Sequence, residues 1–213
     1  MTTDHPATGR RPMLGRPVVR LAMAVLLLAG LAALAFLTQR RGASAPGDGD
    51  LIAPSIQRTA TDEAGLGAIG DRAPILGQPA PDFVLRDLEG RVVKLSDLKG
   101  MVVWVNFWAS WCVPCKRELP DIQKLYDEKR DAGLVVLEVN YQEDADTARG
   151  FFEARSLRLP LLLDNSGSVY EEYRLQGLPD SFFVDREGDL AAMQFGYLTE
   201  AKMRERLATA GLP

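Results

Sequence analysis

Apolar residues fall in three different patterns along this 213-residue chain. Residues 21–37 form an almost unbroken apolar run, and Arg10, Arg11, Arg16 and Arg20 lead into it. Residues 39–76 are Gly, Ala, Pro, Ser, Thr and Asp with few apolar positions, which reads as a flexible linker. From residue 77 onward, short apolar runs alternate with turn signals, as strands and helices of one domain require. Residues 83–85 and 91–95 predict a hairpin. Residues 101–107 are so continuously apolar that both faces of that strand must be covered, as at the centre of a parallel sheet. A helix is expected over 112–131, kinked at Pro120 and stopped by Gly133. A second central strand at 134–141 follows, then a helix at 145–155, a short strand at 161–163 and a helical turn at 168–173. A hairpin of 181–184 with 190–195 and a helix over 199–210, N-capped by Thr199, close the chain. Strands alternating with helices, then a terminal hairpin, predict an α/β fold with a central mixed sheet flanked by helices.

The apolar run with Val18 and Val19 spans about 20 residues, roughly 30 Å as a helix, enough to cross a bilayer. The expected organisation is a basic cytoplasmic tail at 1–17, a transmembrane anchor at 18–38, the linker at 39–76 and one domain at 77–213. The basic leading flank places that domain outside the cytoplasm. A cleaved signal peptide is the rival, because Ala43-Ser44-Ala45 resembles a cleavage box; Pro46 directly after it and the length of the run favour an uncleaved anchor. A net charge of −4 and a pI near 5.2 leave no basic patch for nucleic acid.

The chemistry lies in the only two cysteines, in Trp111-Cys112-Val113-Pro114-Cys115, where the first apolar strand runs straight into a helix start. Two thiols at this spacing close into a disulfide and reopen, a reversible two-electron device. Cys112 at the helix N-terminus faces unpaired N–H groups and the positive dipole end, which favour thiolate; Lys116 and Arg117 add charge. It is therefore the expected nucleophile and Cys115 the resolving thiol. Pro114 suits the first helical turn, and Trp111 offers a flat apolar wall or simple packing. A zinc site would need further ligands, and the single histidine, His5, lies in the N-terminal tail. A purely structural bridge closing so short a loop would stabilise little. No cofactor or metal is expected.

Several of these segments resemble the thioredoxin-like superfamily, in particular its membrane-anchored TlpA/ResA/DsbE branch of extracytoplasmic thiol–disulfide oxidoreductases. They are Gly77-Gln78-Pro79-Ala80-Pro81-Asp82-Phe83, the stretch from Asn106 through the cysteines to Pro120, and Gly177-Leu178-Pro179-Asp180-Ser181-Phe182-Phe183-Val184-Asp185. The resemblance covers residues 77–210 and implies a thioredoxin-like fold with an N-terminal hairpin and an inserted helix, preceded by one transmembrane helix. It implies that Pro179 is cis and faces the cysteines, with Leu178, Pro179 and Asp180 meeting an extended substrate. Asp180 departs from the common threonine, so a carboxylate either borders the groove or faces solvent. Asn106 stands where cytoplasmic thioredoxins carry a buried aspartate. Glu138, an acid inside an apolar strand, is the candidate proton-transfer group, while Glu118, one turn beyond Cys115, reads as solvated.

The resemblance further implies reduction of protein disulfides, with apocytochrome c as the usual substrate class and a membrane thiol-reductant donor of the CcdA/DsbD type. A peroxiredoxin-like thiol peroxidase would carry threonine where Ala109 stands. A copper-delivery protein of the SCO type would need a wider cysteine spacing and a domain histidine. A tethered, non-enzymatic binding module is the third alternative.

Overall fold

The computed structural model describes residues 66–70 and 73–213. The expected tail, the anchor at 18–38 and most of the linker lie outside the described residues. Among those described, no helix is long and apolar enough to cross a membrane.

The strands are β1 (Gly67–Ile69), β2 (Asp82–Asp87), β3 (Val92–Lys94), β4 (Val102–Trp108), β5 (Leu134–Tyr141), β6 (Leu161–Asp164), β7 (Asp180–Val184) and β8 (Leu190–Phe195). The helices are α1 (Val113–Lys129), α2 (Ala145–Glu153), α3 (Ser168–Glu172) and α4 (Glu200–Thr209). All eight strands join one mixed sheet in the order β1-β2-β6-β5-β4-β7-β8, with β3 paired to β2. Strands β4, β5 and β6 run parallel, and β2, β7 and β8 pair antiparallel to their neighbours.

Alternation along β4 divides the interior in two. Val102, Trp104 and Trp108 join a core with α1, α2 and α4, whereas Val103, Val105 and Phe107 join the core on the opposite face. Every residue of β4 is buried, the physical content of its unbroken apolar run. On the second face Phe107 meets Tyr173 at 5.2 Å and Phe182 at 5.8 Å between ring centroids.

Two boundaries change. Helix α1 runs through Pro120 as one element, and Arg130–Ala132 follow as a 3-10 turn. Gly133, at φ 97°, ends it in the left-handed conformation that glycine adopts without penalty. The last part of the expected linker is not free: β1 pairs with β2, Gly67 opposite Val84. A three-residue Gly-Ala-Ile strand held by backbone bonds carries no hydrophobic alternation to read.

Phe107→Ala should destabilise the protein by about 3–5 kcal/mol, the range for emptying a buried aromatic site. Urea unfolding at equilibrium measures this, with the midpoint falling and the slope unchanged.

Candidate active site

Strand β4 delivers the chain to the first turn of α1, and Cys112 occupies the N-cap. Its Sγ accepts the Cys115 N–H at 3.2 Å, and its carbonyl accepts from Lys116 at 3.2 Å. Cys112 and Cys115 form a disulfide with their Cα atoms 5.3 Å apart. Cys115 is fully buried and Cys112 retains 4% exposure, so access is from the Cys112 side. Pro114 lies in the first turn, where its missing N–H has no intrahelical partner to lose.

The approach to the disulfide is apolar. Trp111 and Val113 are 62% and 65% exposed, an unusual state for such side chains so close to a core. Lys116 and Arg117 turn to aromatic rings: Lys116 stands 6.0 Å from the centroid of Phe151, and Arg117 lies 5.1 Å over Tyr197. The loop before Cys112 is tied from outside α1. Glu143 accepts from the Ser110 N–H at 2.7 Å, from the Ser110 hydroxyl and from Asn140 Nδ2 at 2.7 Å. Nothing in the sequence marked Glu143, because a loop acid beyond a strand end is an ordinary solvated residue.

The Leu178–Pro179 peptide bond is cis, as the resemblance implies. Leu178 is half-buried and Pro179 buried, and the Pro179 carbonyl accepts the Gly196 N–H at 2.8 Å. Asp180 does not face solvent. It is 4% exposed, its Oδ1 accepts that same Gly196 N–H at 2.8 Å, and burial pushes its carboxyl up to about 6. It braces the turn beside Pro179 from within.

Two further carboxyls lie inside the α1 side of the sheet. Glu138 is fully buried in β5, and its Oε2 accepts from Asn106 Nδ2 at 2.9 Å. Desolvation raises its pKa well above the ordinary glutamate value, opposed by that Asn106 bond and reinforced by the charge of Glu118. Glu118 was expected to be solvated and is 0% exposed. Its position three residues after Cys115 and one before Leu119 puts it on the buried stripe of α1. Its Oε2 accepts the Leu198 N–H at 3.0 Å, and burial raises its pKa to about 8.

A buried Cys-x-x-Cys disulfide at a helix start, a cis-proline loop and a mixed α/β sheet define a thiol–disulfide oxidoreductase of thioredoxin-like architecture. The AhpC/TSA family matches residues 76–193. The chain is 36% identical over 135 residues to the thiol-disulfide oxidoreductase ResA of Geobacillus thermodenitrificans, covering 63% of this chain and 78% of that one. It is 33% identical over 132 residues to ResA of Bacillus thuringiensis, covering 62% and 76%. Among solved structures, it is similar to a putative thiol:disulfide interchange protein DsbE from Chlorobium tepidum, with TM-score 0.61 and 31% identity over 65% of this chain and 99% of that one. StoA from Bacillus subtilis gives TM-score 0.53 and 30% identity over 60% and 96%. The chain belongs to the AhpC/TSA family and, within its thioredoxin-like members, to the TlpA/ResA/DsbE-type thiol–disulfide oxidoreductases.

The buried acids set a pH dependence of stability. A carboxyl with a folded pKa above its unfolded value holds its proton more tightly when folded. Its contribution is therefore complete below the unfolded pKa and is lost as pH rises through the folded one. For Glu118 the window runs from 4.5 to about 8. Glu118→Gln should flatten the fall of stability across that window, by up to about 1.4 kcal/mol per pH unit. Denaturant unfolding of both proteins at several pH values checks this.

In the reduced protein Cys112 should be alkylated faster than Cys115 at neutral pH. Mass mapping after brief iodoacetamide treatment measures the ratio, and faster labelling of Cys115 would reverse the two roles.

Proposed function

We propose that this protein is a membrane-tethered, extracytoplasmic reductase of protein disulfides, with the CxxCH haem-attachment pair of apocytochrome c as its substrate class. A membrane thiol-reductant donor of the CcdA/DsbD type returns it to the dithiol. The observation that carries this reading is the Cys112–Cys115 disulfide at the N-terminus of α1, with an apolar rim outside it and acids buried inside. The ResA and DsbE relatives support it, and the basic flank and apolar run at 18–38 support the tether.

The exchange follows from the placement of the two sulfurs. The Cys112 thiolate, favoured by the helix N-terminus, attacks a substrate disulfide. A bond forms between Cys112 Sγ and one substrate sulfur, while the other substrate sulfur leaves with the electron pair and takes up a proton. Cys115 then gives its proton to a buried carboxylate and attacks Cys112 Sγ. The mixed disulfide breaks, the second substrate sulfur leaves and is protonated, and Cys112–Cys115 is re-formed. The substrate has gained two electrons and the enzyme has lost them. Pro179, with Leu178 and Asp180, sets the loop along which an extended substrate lies, and Trp111 supplies an apolar contact next to the reacting sulfur. An ionised carboxylate inside the site disfavours a thiolate at Cys115, which makes the dithiol a readier electron donor.

Glu138→Gln should keep the fold and slow release of the mixed disulfide by about 100-fold, the low end of the range for loss of a proton-transfer group. Stopped-flow kinetics on the full-length protein reads this directly. Cys115→Ala should accumulate a one-to-one covalent adduct with an oxidised CxxCH peptide. Absence of the adduct, with Cys112 intact and reduced, would contradict the reading.

A further inference from the structure

Three adjacent strands place buried polar residues side by side at the centre of the sheet. Glu138 of β5 lies in register with Asn106 of β4, and Asn106 with Ser181 of β7. All three are buried. Their side chains form a directional chain. Trp104 Nε1 donates to Ser181 Oγ at 2.9 Å, Ser181 Oγ donates to Asn106 Oδ1 at 2.9 Å, and Asn106 Nδ2 donates to Glu138 Oε2 at 2.9 Å.

Trp104 can only donate, so the Ser181 oxygen must accept from it and turn its own hydrogen to Asn106. The Asn106 oxygen is thereby fixed toward Ser181, and its amide nitrogen toward Glu138. One N–H is bound to Glu138. The amide also favours the charged form of Glu118, without a hydrogen bond of good geometry. Oε1 of each glutamate is buried without a partner, two orphaned oxygens on carboxyls whose charges influence one another. The other groups bearing on the two carboxyls are Asp180 at the start of β7 and the Leu198 N–H ahead of α4; Cys115 lies one turn back on α1. Among the described residues no cationic side chain bears on either carboxyl.

We propose that Asn106, locked by Ser181 and Trp104, is a positioning residue that couples Glu118 and Glu138 into one proton-holding pair serving Cys115. The inference rests on the exchange reading above and assigns Asn106 and Ser181 a task that reading does not need. With the amide locked, one carboxyl of the pair is held ready as a carboxylate while the other keeps its proton. The Cys115 proton then passes to the carboxylate as the Cys112–Cys115 bond forms and the bond to substrate breaks. If the amide is free to turn, its oxygen meets a carboxylate instead of an N–H, and ionisation of the pair is disfavoured.

The test uses the full-length chain with Cys112 in mixed disulfide with thionitrobenzoate, a chromophore released when Cys115 attacks. In the wild type, the release rate should rise with pH as the pair ionises. Ser181→Ala should move that rise upward by about one to two pH units, the size expected when a hydrogen bond to a charged group is lost. Ser181→Thr, which keeps the hydroxyl, should restore the wild-type profile, and Asn106→Leu should shift it at least as far as Ser181→Ala. A Ser181→Ala protein that is less stable but keeps the wild-type profile would overturn the inference and leave the polar row a packing feature. A wild-type protein that never releases the chromophore would overturn the exchange reading together with the inference. Release with an unmoved profile overturns the inference alone.

Discussion

The burial of β4 on both faces is the constraint on which the rest of this structure depends. A strand covered on both sides must be apolar along its length, must pair on both edges, and must end where the covering layers end. Here it ends at Trp108, and the next turn brings Cys112 to the first N–H groups of α1. The helix start is thereby fixed against a rigid strand, and Glu143 holds the intervening Ser110. The sulfur is aimed at unpaired N–H groups by the same packing that forms the core. Lys116 and Arg117, expected to add charge beside Cys112, turn toward aromatic rings.

The same constraint makes each polar residue in the central strands expensive. A buried carboxyl without a cation resists ionisation, and a buried amide must satisfy both its ends. The row Glu138–Asn106–Ser181 meets part of those demands by sharing hydrogen bonds across three strands, α1 lays Glu118 over the same layer, and one oxygen of each glutamate stays unpartnered. Stability and the proposed chemistry are opposed at this point: the acids proposed to serve Cys115 weaken the fold as they ionise. Aromatic packing flanks this layer on both faces, around Trp108, Phe151 and Phe152 on one and Phe107, Tyr173 and Phe182 on the other.

Most of the architecture was legible because burial leaves a direct mark on sequence. The runs at 101–107 and 134–141 carried the central strands, and Thr199 and Gly133 marked helix ends through capping and left-handed geometry. The cysteine pair and Glu138 stood out as chemistry-bearing residues in apolar surroundings. The cis bond at Pro179 came from the resemblance and not from any local pattern. Glu118 was misjudged although its signal was present: Cys115, Glu118, Leu119 and Ile122 follow the spacing of one helical face. Asp180 was open to misjudgement because strand-end positions look solvated until the partner turn, here Gly196, is known. Strand β1 and the Glu143 tie depend on tertiary pairing of short or polar segments, and no periodicity encodes that.

The proposed exchange requires the buried carboxyls to act on Cys115. Titration of both thiols in the reduced protein, in wild type and in the Glu118→Gln/Glu138→Gln double variant, tests it most directly. The account predicts that Cys115 ionises at lower pH by at least about one unit once the carboxylates are gone, with Cys112 nearly unmoved. Two thiols that titrate as in the wild type would contradict it.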